Sequence, residues 1–138
     1  MMPRIAFPLL LSALALVLIL SGSACGNPPF AQGQKLYALH CESCHMDDGT
    51  GLGGNIPPLA RSDYLADHQD ILGCLIRYGQ QDTIIVNGRS YSEVMPGVPD
   101  LTEFQIANII NYINQAWGND YGFIKVEDLR RQLDDCGR

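Results

Sequence analysis

A chain of 138 residues with ordinary apolar content is long enough for one domain plus whatever its ends add, and nothing in its composition suggests general disorder. Nine basic residues face fifteen acidic ones, a formal charge of −6, which argues against a nucleic-acid partner. The acidic balance suits a protein partner with a basic docking patch, or serves solubility alone.

The chain opens with Arg4 as the single charge of its first 24 residues, followed by a nearly unbroken apolar run from Ile5 to Leu20. That run is shorter than the roughly 20 residues a membrane-spanning helix needs, and Pro8 interrupts it. The small residues Ser21-Gly22-Ser23-Ala24 complete a secretory signal over residues 1–24. Cys25 comes next, as in a bacterial lipoprotein signal, where that Cys becomes the lipidated N-terminus. Gly22 stands where the usual motif has an aliphatic residue, so plain cleavage and an uncleaved anchor stay open beside lipidation. Each reading exports the domain to the periplasm or outer surface, and lipidation tethers it to a membrane. With the signal gone, eight basic residues face fifteen acidic ones.

Residues 25–29 read as a tether. A helix is expected from Phe30 into the Cys41–Cys44 pair, then irregular backbone through the Gly-rich stretch from Asp47 to Pro58. Ser62 caps an expected helix from Asp63 to Tyr78, stopped by Gly79. Thr83 to Tyr91, turning at Asn87-Gly88, is a hairpin signal, and it is the one hairpin expected. Thr102-Glu103-Phe104-Gln105 is a capping box opening a helix to Trp117, which Gly118 ends. A last helix from Val126 to Cys136 aligns Val126, Leu129, Leu133 and Cys136 on one stripe. The result is a mainly α chain, with so much loop that something besides side chains should fill its centre.

Cys41-Glu42-Ser43-Cys44-His45 is the attachment pattern of c-type haem. Two thiols three residues apart can add to the two vinyl groups of one haem edge, and the next imidazole reaches the iron from the same side. A thioredoxin-like dithiol would need a βαβ setting, and a zinc site would need a second ligand pair; neither is visible. Of the remaining cysteines, Cys25 suits lipidation. That leaves Cys74 and Cys136, which an oxidising compartment would join in a disulfide, against two buried free thiols.

The sixth iron ligand has four candidates. His40 and Met46 flank the attachment motif and cannot readily cross the ring. His68 lies in a polar stretch where an exposed imidazole is the default. Met95 is favoured, because Pro96 and Pro99 hold its loop in shape. A thioether ligand raises the potential and leaves no open coordination position, which favours electron transfer over oxygen chemistry.

With these motifs in place, residues 30–118 resemble the class I cytochromes c. The resemblance rests on Gly33 and Tyr37 before the haem motif, Pro57-Pro58-Leu59 after it, Met95-Pro96, and Tyr112 on the C-terminal helix. It implies the cytochrome c fold around one covalent haem c, with a small hairpin insert and a C-terminal helical extension over 119–138. It further implies that Gly33 permits close approach of two helices whose crossing the aromatics lock. The Pro57 carbonyl would accept a hydrogen bond from His45, and Leu59 would pack on the proximal face. Arg61, Arg77 and Arg89 are open candidates for the propionates, and Trp117 reads as core or helix-end packing. The implied function is single-electron transfer by an exported carrier that is no enzyme on its own, although it could serve one as an accessory subunit. Two alternatives stand beside it: a haem-based sensor with a labile sixth ligand, and a haem-free interaction lipoprotein.

Overall fold

The helix from Ala31–His40, α1, has Gly33, Leu36 and Tyr37 as its buried face. A computed structural model describes residues 29–136 of the chain; the signal segment 1–24 and Cys25 lie outside the described residues. At Cys41 the backbone leaves the helical region (φ −124°, ψ −35°), so the expected single helix splits and a short α2 follows over Glu42–His45. Among the described residues no helix is long and apolar enough to cross a membrane.

The segment expected as one helix over 63–78 is two: α3, Asp63–Asp67, and α4, Leu72–Tyr78. Ser62 caps the first as expected, its hydroxyl accepting from the Leu65 N–H. Side-chain amides explain the break. Gln69 Nε2 donates to the Leu65 carbonyl at 2.7 Å, in place of the backbone bond a continuous helix would make there. Gln132 Nε2 in turn donates to the Gln69 carbonyl at 2.8 Å.

Gly79 ends α4 at a positive φ of 85°, and its strand β1, Gly79–Gln80, pairs with β4, Met95–Pro96. Between them lies the hairpin of β2, Ile84–Val86, and β3, Arg89–Tyr91, turning through Asn87 and Gly88, both at positive φ. The expectation of a single strand pair is therefore corrected. The β1–β4 ladder joins residues 15 and 17 apart in sequence and has no local signature (Gln80 faces Met95).

Helix α5, Glu103–Ile113, opens with the expected reciprocal capping box of Thr102 and Gln105. It stops at Ile113, four residues short of the expected end at Trp117. Beyond it the chain turns, with Trp117 and Gly118 both at positive φ. Ile106, Ile109, Ile110 and Ile113 are buried because α5 crosses α1, meets α4 and is covered by the last helix, α6, Val126–Asp135. At the α1–α5 crossing a Cβ on Gly33 would stand 2.1 Å from the Asn108 carbonyl oxygen, so only glycine fits. Helix α6 buries Leu129 against Gly73 of α4, and a disulfide joins Cys74 to Cys136 at its end. This is a mainly α fold with two small antiparallel strand pairs.

Candidate functional site

The loop after α2 folds back on itself through glycine. Leu59 and Ala60 both donate backbone N–H groups to the Gly49 carbonyl, at 2.8 and 2.9 Å. Gly51 donates to the His45 carbonyl, and a Cβ there would meet the Ile56 oxygen at 2.2 Å. These bonds carry Pro57 over the buried His45 ring, where His45 Nδ1 lies 3.1 Å from the Pro57 carbonyl oxygen. A carbonyl only accepts, so Nδ1 carries the proton and Nε2 keeps its lone pair. Burial lowers the His45 pKa, and the Pro57 bond opposes that effect in part. The ring is thus held neutral, oriented and ready to bind a metal through Nε2.

An apolar cleft runs along this ring. Cys41, Cys44, His45, Pro57, Leu59 and Met95, which the sequence spreads over 55 positions, all line it. About 1050 Å³ of space lies within it, part of it open to solvent. Ile84, Val86 and Tyr91 supply one wall, so the hairpin expected only as a surface insert also encloses the site. In the fold the strand alternates, with Val86 buried and Ile85 65% exposed, although Ile84-Ile85-Val86 is a continuous apolar run in sequence.

The other candidates lie elsewhere. The His68 ring stacks on Tyr64 at 3.9 Å, and its Nδ1 lies 2.9 Å from the Tyr64 carbonyl oxygen. His40 is exposed at the end of α1, and Met46 does not line the cleft. None of Arg61, Arg77 and Arg89 lines it either. Arg61 donates its backbone N–H to Asn119, Arg77 reaches the Pro99 carbonyl, and Arg89 lies over the Tyr91 ring at 5.5 Å.

Two groups behind the site matter more than the sequence suggested. Trp117 packs 5.1 Å from Tyr37 and 5.5 Å from Tyr112, closing an aromatic trio over the α1–α5 crossing. The buried Asn119, in sequence no more than the first residue of the tail, donates to the Leu59 and Ile113 carbonyls and accepts from the Arg61 N–H. A lone Asn after a Gly gives no local sign of such a role.

Cys41 and Cys44 are not bonded to one another. Burial pushes the Cys41 thiol up to about 11, the reverse of the acidified thiol that dithiol exchange requires. Among the described residues no three His, Cys, Asp or Glu side chains gather in a metal-binding group, so a structural zinc site has no support. An apolar cleft lined by two thiols and an oriented imidazole fits a covalently attached haem.

The comparisons agree with that fit. A family model described as cytochrome c matches residues 30–117. A cytochrome c-552 of Thermus thermophilus is 37% identical over 106 residues, which cover 74% of this chain and 69% of that one. A second cytochrome c-552 from Thermus thermophilus is 38% identical over 93 residues, or 64% and 70% of the two chains. The cytochrome c subunit of the alcohol dehydrogenase (quinone) of Gluconobacter oxydans is 29% identical over 104 residues, 72% of this chain but 21% of that subunit. The chain belongs to the cytochrome c family, with the covalently bound haem c and the electron transfer that membership implies.

Proposed function

We propose that this cytochrome c is an exported single-electron carrier whose haem is held by thioethers at Cys41 and Cys44, with His45 and Met95 as axial ligands. The observation that carries the reading is the meeting of His45, its Nδ1 proton given to Pro57, with Met95 in one apolar cleft. Haem c supplies a one-electron iron couple there, and a thioether ligand raises its potential. The protein's share is orientation and enclosure. Pro57 fixes the imidazole tautomer, and the apolar side chains of Leu59, Val86 and Tyr91 line the cleft and keep water from it. Cys44 is exposed and Cys41 half-buried, so the attachment edge is the exit for electrons.

The domain itself runs over 30–118, with 119–138 as an extension whose helix α6 packs on α4 and α5. Residues 1–24 export it, and lipidation of Cys25 tethers it to a membrane facing the periplasm or cell exterior. Its acidity suits redox partners with a basic docking patch. It is a carrier rather than a catalyst, and the likeness to the cytochrome c subunit of a quinone alcohol dehydrogenase supports service to such an enzyme.

The visible spectrum of Met95→Ala beside wild type tests the axial assignment. The variant should lose the six-coordinate reduced spectrum and bind carbon monoxide, while reduced wild type should not. A wild type that already takes up carbon monoxide readily would replace the carrier with a haem-based sensor. Mass of the exported protein and incorporation of labelled fatty acid, with Cys25→Ser as control, test the anchor.

A further inference from the structure

The segment that presents Met95 is held from one side, by the end of α4. Gln80 and Gly79 pair with Met95 and Pro96 in the short ladder. Gly97 lies so flat on residues 77–79 that a Cβ would come 2.6 Å from the Arg77 carbonyl oxygen. The Val98 N–H donates to the Ile76 carbonyl at 2.8 Å. All of these contacts belong to the backbone. The single side chain of α4 that donates to this segment is Arg77, whose Nη1 reaches the Pro99 carbonyl at 3.0 Å.

Two further facts set Arg77 apart from an ordinary surface cation. Its Nε–H is buried without a partner among the described residues, and no carboxylate there pairs with it. An arginine free to move would turn that N–H to water, so packing and the Pro99 bond hold the guanidinium in place. Pro96 and Pro99 also have no N–H of their own; the Leu101 N–H bonds back to the Val98 carbonyl at 3.4 Å, so the Pro99 carbonyl depends on a donor from outside the loop. The Pro99 carbonyl is where that donor acts.

We propose that Arg77 is a positioning residue for the sixth ligand: its hold on Pro99 sets how rarely Met95 leaves the iron. This rests on the reading of Met95 as that ligand. A foreign ligand binds only the fraction of molecules in which Met95 is off, so its apparent affinity measures the opening directly. The test is imidazole titration of the ferric holoprotein, followed in the visible spectrum, for wild type, Arg77→Ala, Arg77→Lys and Met95→Ala. Arg77→Ala should bind imidazole roughly fivefold more tightly than wild type, and Arg77→Lys, which can still donate to Pro99, should return most of the way. Arg77→Ala binding within about twofold of wild type, even with a lowered unfolding midpoint, would reduce Arg77 to a structural role and overturn the proposal. Where Arg77→Ala does not accumulate, Arg77→Gln keeps part of the aliphatic stem without the reach; unchanged binding in that variant overturns it equally. Met95→Ala separates the two ideas. If it binds imidazole no more tightly than wild type, the ligand assignment fails, whatever Arg77 does.

Discussion

Trp117 donates its indole N–H to the Asp47 carbonyl at 2.9 Å, across 70 residues of sequence. The bond ties the chain beyond α5 to the loop that follows His45, and the ring lies where a Cβ on Gly49 would stand, 2.5 Å from the nearest ring carbon. Trp117→Phe keeps much of the ring packing and removes the bond, so urea unfolding of the holoprotein should show a loss of about 1 kcal/mol. Trp117→Ala also empties the aromatic trio and should cost about 3 kcal/mol or more.

Asn119 should be a sensitive position as well. Its amide joins the Leu59 carbonyl, the Ile113 carbonyl and the Arg61 N–H, at 3.0, 2.7 and 2.7 Å. Asn119→Ala leaves all three short of a partner in a buried place, and a loss of about 3 kcal/mol follows from the unpaired groups. Thermal unfolding checks it, and a variant within about 0.5 kcal/mol of wild type would mean that water replaces the amide without cost.

Alkaline pH should reveal Tyr37. Its hydroxyl donates to the Met46 carbonyl at 2.6 Å, and burial, with nearby acidic groups adding to it, raises its pKa well above the ordinary value of 10. In the unfolded chain the phenol loses its proton near pH 10, while the folded protein retains it. Above that pH the folded state therefore binds more protons. Stability is fully present below pH 10 and falls as pH rises past it. Tyr37→Phe should be less stable at neutral pH by about 1 kcal/mol and should show a shallower alkaline decline. Tyr64, Tyr112 and Tyr121 are shifted upward too, so part of the slope remains. Urea midpoints taken from pH 7 to pH 11 give the comparison.

The Cys74–Cys136 bond closes a loop spanning 62 positions. Replacing both cysteines with serine should cost about 4 kcal/mol on the loop-entropy estimate. Helix α6 retains other holds on α4, through Gln132, which accepts from the Gly73 N–H, and the buried Leu129. The variant should therefore unfold earlier while keeping the visible spectrum of wild type; a changed spectrum at neutral pH would mean that the bond reaches the iron site.

Legibility in the sequence followed locality. The capping box at Thr102, the Asn87-Gly88 turn and the Ser62 cap each act within a few residues, and each was readable. The split between α3 and α4 was not, because Leu65, Ile71 and Leu72 fit one helical face equally well. What breaks the helix is Gln69, whose amide also pairs with Asn114, 45 residues away. The β1–β4 ladder is hidden for the same reason, since backbone pairing between Gln80 and Met95 leaves no mark on either residue. At the site, the attachment motif and Met95 stood out by residue type. The hairpin's place as a wall of the cleft and the bonds of Asn119 came only with the fold.

The position of the disulfide bears on how the protein is made. Cys41, Cys44, Cys74 and Cys136 can pair in three ways, and only the observed one leaves both thiols of the attachment motif together. A Cys41–Cys74 or Cys44–Cys136 bond formed first would leave a single motif sulfur for two vinyl groups. Where the chain matures among oxidants, the docking of α6 on α4 therefore does more than brace the tail. By matching Cys136 to Cys74, it keeps both sulfurs of the proposed haem attachment free of the wrong partner.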